Sequence, residues 1–200
     1  DFCLSRALGD VYKRQVHTPQ VTTAYDADGD MLSQVTADTT GGDASRTVSD
    51  TYNGYDQKAT STDAAGAVTQ YTYDSYGNLA SETDPAGNVT AYTYDPNGHL
   101  LTTTLQNYTG SPPGSQTAAP LVEDSRAYDP AGRLASVTDA MGRVTSYAYT
   151  DDGLIASVTS SGPGGGSSVQ EADTYDPAGN LITQVTNNGA TTTSYAVDAA

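Results

Sequence analysis

Three carboxylates stand within five residues at Asp26-Ala27-Asp28-Gly29-Asp30. Oxygen ligands at alternating positions around a glycine bend are what a calcium loop needs. The order Asp-x-Asp-x-Asp-Gly is not met here, and the glutamate that completes such a loop is missing. Glycoside hydrolysis needs two carboxyls in different environments, one with a raised pKa. The turn-tip aspartates of this chain instead recur in one context, Asp-x-x-Gly, and read as exposed and all alike. The only imidazoles are His17 and His99, and neither has the partners of a catalytic triad or a zinc site. Asn88-Val89-Thr90 and Asn107-Tyr108-Thr109 match the glycosylation triplet, as a Thr-rich chain does by chance. No residue is assigned to catalysis, to a metal or to a cofactor, and the expectation is a non-enzymatic protein. One constellation keeps a binding role open. Tyr71/Tyr73, Tyr92/Tyr94 and Tyr147/Tyr149 offer rows of flat rings to sugars, against the plainer reading of packing along one strand face.

The elements that position these groups come from a repeat. Aligned on the tyrosine before the first turn, copies start at Tyr25, Tyr52, Tyr73, Tyr94, Tyr128, Tyr149 and Tyr175, and a truncated eighth begins at Val197-Asp198. The steps are 27, 21, 21, 34, 21, 26 and 22 residues, so the basic repeat is 21. Pro/Gly/Ser stretches at 110–120 and 161–168 read as insertion loops in the longer steps. Each repeat runs Tyr-Asp-x-x-Gly-x-Leu, then Asp-x-x-Gly-x-Val-Thr-x-Tyr-x-Tyr. The first turn is clear at 26–29, 74–77, 95–98, 129–132 and 176–179, weakened at 150–153, and without its glycine at 53–56. The second is clear at 38–41, 63–66, 84–87 and 139–142, with 107–110 as a variant.

Asp-x-x-Gly is turn chemistry. The Asp carboxylate bonds backbone N–H groups ahead of it, Pro85, Pro96, Pro130 and Pro177 preset the next φ, and Gly takes the left-handed position. A type I turn followed by a left-handed residue is a three-residue hairpin connection. The Thr-, Val- and Tyr-rich segments between turns alternate and read as strands, and no window shows a helical period. If Asp84 faces Asn88, then Thr83, Ser81 and Leu79 share a face with Val89, Ala91 and Thr93. Glu82 and Ala80 then share the other with Thr90, Tyr92 and Tyr94. One face would carry Leu and Val among small residues, the other a tyrosine ladder. A pair of repeats, 42 residues, also approaches a propeller blade, but the irregular insertions and the lack of Trp-Asp signatures speak against it.

Bulk properties agree with thin walls. There are 15 Tyr, one Phe and no Trp, a poor inventory for a filled core. A formal charge of −16 argues against nucleic acid or anionic membrane as partner, and no stretch approaches the length of an apolar membrane span. Residues 1–15, with the only Cys (Cys3) and Phe (Phe2) and three of eight basic residues, do not match the rest. They resemble an adaptor-derived, non-native tail, leaving 16–200 as the repeat array. Starting at Asp1 and stopping at Ala200 in mid-pattern, the chain reads as a slice of something longer.

Tyr-Asp-x-x-Gly-x-Leu followed by Thr-Asp-x-x-Gly-x-Val-Thr-x-Tyr-x-Tyr-Asp resembles the YD repeat of the RHS (rearrangement hotspot) family, over roughly residues 21–200. Toxin-complex proteins, wall-associated proteins and teneurins carry related repeats. The resemblance implies an all-β fold of antiparallel hairpin repeats, part of a spiralling, solenoid-like shell, here an open fragment. It further implies a bacterial secreted or cell-surface protein whose shell wall encloses a C-terminal toxin or effector domain absent from this chain. The partners would be neighbouring repeats and that enclosed domain. The alternative is a carbohydrate- or cell-surface-binding module of an adhesin, with glycans as partner. Asn53 and Thr150 for Asp, Asp56 for Gly and Val197 for Tyr are the departures from the pattern.

Overall fold

A computed structural model describes residues 18–40, 43–110 and 117–196. The tail at 1–15, His17, the second turn at 38–41 in part, most of the 110–120 insertion and the truncated eighth copy lie outside the described residues. Among those described there are fifteen strands and no helix. They are β1 (Pro19–Tyr25), β2 (Met31–Asp38), β3 (Arg46–Tyr52), β4 (Lys58–Thr62), β5 (Val68–Tyr73), β6 (Leu79–Thr83), β7 (Val89–Tyr94) and β8 (Leu100–Tyr108). β9 (Ala119–Tyr128), β10 (Leu134–Asp139), β11 (Val144–Tyr149), β12 (Ile155–Ser161), β13 (Ser167–Tyr175), β14 (Leu181–Thr186) and β15 (Thr191–Ser194) follow. The strands form one continuous sheet in chain order, not separate four-stranded propeller blades. The chain divides into two compact units, Asp1–Thr69 and Gln70–Ala200.

The turns form as their residues dictate. At the second turn of the third repeat, Asp84 N–H donates to the Asn88 carbonyl and Gly87 N–H to the Asp84 carbonyl, both at 2.9 Å. Gly87 has φ +87°, the left-handed conformation that a Cβ penalises. The same pair of backbone bonds recurs at 63–67, 74–78, 95–99, 129–133, 139–143, 150–154 and 176–180. It also closes 53–57, where Asp56 takes the glycine position at φ 56°. Asp and Asn are the residues best able to do so.

Two stretches differ from expectation. The Pro/Gly/Ser stretch at 161–168 is itself a turn: Gly162 N–H donates to the Gly166 carbonyl at 3.1 Å and Gly165 N–H to the Gly162 carbonyl at 3.0 Å. Gly162-Pro163-Gly164-Gly165 thus replaces Asp-Pro-x-Gly, and the added residues lengthen β12 and β13. Asn107, in contrast, opens no turn. It lies inside β8 at φ 55°, where the register against β9 shifts between Leu105 and Tyr108.

Register follows the expected pairing, Thr83 opposite Val89 and Ser81 opposite Ala91. Beside each first turn, however, the register slips by one residue. Tyr73 faces Leu79 while Thr72 faces Ser81, so Ala80 is a bulge. The slip moves Leu79 off the Ser81 face and onto the tyrosine face. Tyr94 with Leu100, Tyr128 with Leu134 and Tyr175 with Leu181 repeat the arrangement. In the second unit the faces are therefore chemically segregated. Tyrosines, leucines and strand charges such as Glu82, Asp124, Arg126, Glu171 and Asp173 share one face. The paired positions of the other hold Ser, Thr, Ala, Val and Gln only.

No hydrophobic residue among those described is buried. The sheet is held by its backbone ladder, by half-buried side chains packed sideways, and by hydroxyl pairs across strands. Thr51–Thr60, Thr72–Ser81, Thr93–Thr102 and Thr174–Thr183 meet at 2.6–2.7 Å, each contributing roughly 0.2–1 kcal/mol.

The turn geometry sets a paired test by urea unfolding. Gly54 stands where other repeats carry Pro, with open space around it and no positive φ. Gly54→Pro is expected to raise stability by about 0.4–1 kcal/mol by restricting the unfolded chain. Gly87→Ala, also into open space, is expected to lower it by about 1–2 kcal/mol through backbone conformation alone.

Candidate functional site: a column of turns and a tyrosine face

Six of the turn aspartates use both carboxylate oxygens. At Asp84, Oδ1 accepts the backbone N–H groups of Ala86 and Asn88, both at 2.8 Å. Oδ2 accepts Asn88 Nδ2 at 2.6 Å. The residue after the glycine thus closes a clamp. Asn78 on Asp74 (3.1 Å), His99 on Asp95 (2.9 Å), Arg133 on Asp129 (2.7 Å), Arg143 on Asp139 (2.6 Å) and Asn180 on Asp176 (2.9 Å) do the same. The signal was in the sequence, where this slot more often than not holds a side-chain donor, but it becomes readable only once the donor is seen to fold back. His99 is therefore a clamp residue of a turn.

The clamps also join successive repeats. The His99 ring stacks on Tyr128, centroids 4.7 Å apart, and a Cβ on Gly132 would come within 3.2 Å of His99 Cε1. The Arg133 guanidinium lies 4.5 Å over the Tyr149 ring, a cation–π contact, and its Nη1 donates to the Thr150 carbonyl at 3.4 Å. Leu154 continues the pattern against Gly179. In the second unit the first turns thus stack as a column.

Opening tyrosines tie four of the repeats to the one before. Tyr52 Oη donates to the Met31 carbonyl at 3.1 Å, and Tyr128, Tyr149 and Tyr175 donate to the carbonyls of Leu100, Leu134 and Ile155 at 2.9 Å. Every acceptor lies six residues beyond the previous repeat's own tyrosine. The tyrosines two residues upstream, Tyr71, Tyr92 and Tyr147, sit on the same face without such a bond. Burial raises the Tyr92 and Tyr94 hydroxyls above the ordinary 10.0, with Glu82 adding to Tyr92 and Asp74 to Tyr94. These rings are half-buried. The most exposed aromatics are instead at turn tips, Tyr55 at 86% and Tyr76 at 81%.

Before Tyr52, Tyr128 and Tyr175 the Tyr−2 position carries charge. Asp50, 5% exposed, pairs with Lys58 Nζ at 2.6 Å. Burial pushes its pKa up, but hydrogen bonds from Lys58 and Ser61 outweigh that and leave it below the usual 3.8. In the Asp26 cluster, Oδ1 of Asp26 accepts the N–H groups of Asp28, Gly29 and Asp30 at 2.9–3.0 Å, the same turn role. Among the described residues no group of His, Cys, Asp or Glu is arranged to hold a metal ion.

Two sequence stretches decide the family. The model of the RHS Repeat family matches residues 52–89, 73–107 and 128–167, starting each time on a repeat-opening tyrosine. Residues 52–107 and 128–167 are RHS repeats. Solved structures share the fold. TcdB2-TccC3 superposes with a TM-score of 0.54 at 18% identity, covering 86% of this chain and 11% of that one. TcdB2-TccC3-Cdc42 gives 0.52 at 18%, covering 86% and 10%. The Tc holotoxin pore of Photorhabdus luminescens gives 0.51 at 19%, covering 86% and 10%. This RHS-repeat chain thus spans about a tenth of the length of the chains it resembles. No curated protein sequence matches it significantly. Its RHS repeats form a structural repeat segment.

Two predictions follow from the RHS turns and tyrosines. Tyr128→Phe and Tyr149→Phe are each expected to lower stability by about 1 kcal/mol, the net worth of one hydrogen bond. Tyr92→Phe, which removes no such bond, should stay within about 0.5 kcal/mol of the parent in urea unfolding.

The second prediction concerns pH. Side-chain donors in the post-glycine slot, then backbone N–H groups, hold Asp74, Asp84, Asp95 and Asp176 below 3.8; for Asp129 and Asp139 the backbone N–H of the arginine leads. Their contribution is present above 3.8 and lost as pH falls through the lowered values. Asp30 is the exception. It fills the donor slot with a carboxylate, and burial, then Asp26, Asp56 and Asp28, raise its pKa. Its charged form opposes folding, an effect absent below 3.8 and complete above the raised folded value. Asp30→Asn is expected to stabilise the protein at neutral pH, with the gain fading as pH drops through that window. A gain that persists at pH 3 would contradict the assignment.

Proposed function

We propose that this RHS-repeat array is shell wall of a larger bacterial protein, secreted or displayed on the cell surface, that encloses a C-terminal toxin or effector domain. The array itself is non-enzymatic and acts as a container. The observation that carries this reading is a sheet without a core, in which each repeat is completed by hydrogen bonds to the one before it. Such a wall extends by adding repeats. The Tc structures of the same fold support the toxin-delivery setting.

The test uses the full-length protein. With intact repeats, the domain downstream should resist added protease, and Tyr128→Phe/Tyr149→Phe/Tyr175→Phe together should expose it. A downstream domain digested equally fast in both would rule out enclosure. The adhesin reading draws on Tyr55 and Tyr76, whose rings stand open at turn tips. Glycan-array binding lost on Tyr76→Ala and kept on Tyr92→Ala would favour it.

A further inference from the structure

We infer that Asn97 is a site of spontaneous deamidation to aspartate and isoaspartate, and that the fold steers this chemistry away from the other Asn-Gly steps. The chain has three, at Asn53-Gly54, Asn97-Gly98 and Asn188-Gly189. A glycine after Asn leaves the attacking nitrogen uncrowded by any Cβ, and asparagine is a thermolabile residue for this reason. In the reaction the Gly98 amide nitrogen bonds to Asn97 Cγ and closes a five-membered succinimide. The Cγ–Nδ2 bond breaks, and Nδ2 leaves as ammonia with the Gly98 proton. Water then opens the ring at either carbonyl. One water enters, one ammonia leaves, and no oxidant or second substrate is needed.

The three amides are held very differently. Asn53 Nδ2 donates to Gln57 Oε1 at 3.0 Å, and its Oδ1 accepts Tyr55 N–H at 2.9 Å and Gln57 N–H at 3.1 Å. It occupies the first, Asp position of its turn, so its side chain is part of the clamp. Asn188 Oδ1 accepts Val169 N–H at 3.2 Å, while Asn188 N–H donates to the Val169 carbonyl at 2.8 Å. Asn97 is the third residue of its turn, exposed, and its side chain makes no hydrogen bond among the described residues. Only the bond from Gly98 N–H to the Asp95 carbonyl at 3.0 Å restrains the nucleophile. An isoaspartate there would thread the backbone through Cβ and lengthen the turn next to His99, the residue that covers Tyr128.

Peptide mapping by mass spectrometry after incubation at 37 °C and mildly alkaline pH tests this. Asn97 should gain about 1 Da, and do so about tenfold faster than Asn53 and Asn188, the margin that one or two side-chain hydrogen bonds supply. In urea the three rates should converge. Equal rates in the folded protein would overturn the inference, as would a ranking that survives unfolding.

Discussion

A carboxylate oxygen that accepts two backbone N–H groups across three residues is the bond on which this structure rests. It reverses the chain, leaves one residue in the left-handed region, and returns the strand in fixed register. Because the turn's second oxygen also accepts the post-glycine side chain, both flanks of the hairpin are locked to one group. Repeated at many of the described reversals, that clamp makes a sheet out of local decisions. The backbone polar groups of each strand then find partners in the strands next in sequence, so little long-range closure has to be achieved.

The clamp has consequences for charge and for burial. A chain of formal charge −16 places many of its aspartates at turns, where backbone N–H groups satisfy the first turn residue and an arginine is added only at Asp129 and Asp139 among the clamps described. The strands are left free of carboxylates on one face. The other face takes up the tyrosines, leucines and remaining charges. A half-buried tyrosine suits such a wall, because its ring packs sideways while its hydroxyl reaches a carbonyl of the preceding repeat. Phe would make the same lateral contact and lose the tie. The preference for Tyr over Phe is thereby a requirement of a wall without a core. Such a sheet needs continuity and backbone satisfaction more than a pocket, and the Asp-rich motifs that first suggested chemistry serve that continuity.

Much of this was open to reading from the residues. Asp-Pro-x-Gly specifies its turn through three separate restrictions, on side-chain bonding, on φ and on the left-handed position, so hairpins and their three-residue connections were legible one by one. The face of Leu79 was not. Its position depends on the bulge at Ala80, which arises where a right-twisted strand pair meets the turn, and period-two reading carries no mark of an extra residue. The turn at 162–166 was missed for a related reason. With Gly162 in place of Asp, the backbone bonds persist although the side-chain signature is gone.

The sequence by itself determined that the chain is a repeat, where it turns, that it is all strand, and to which family it is similar, because each of these follows from interactions within about five residues. Only the tertiary structure decided which tyrosines bear the inter-repeat bonds, that His99 and Arg133 cover the next repeat's ring, and that Asn97 alone among the Asn-Gly steps is unheld. The tyrosine bonds and the ring contacts depend on groups 15 to 29 residues apart. Their meeting is set by strand register and bulge placement, which no local pattern encodes.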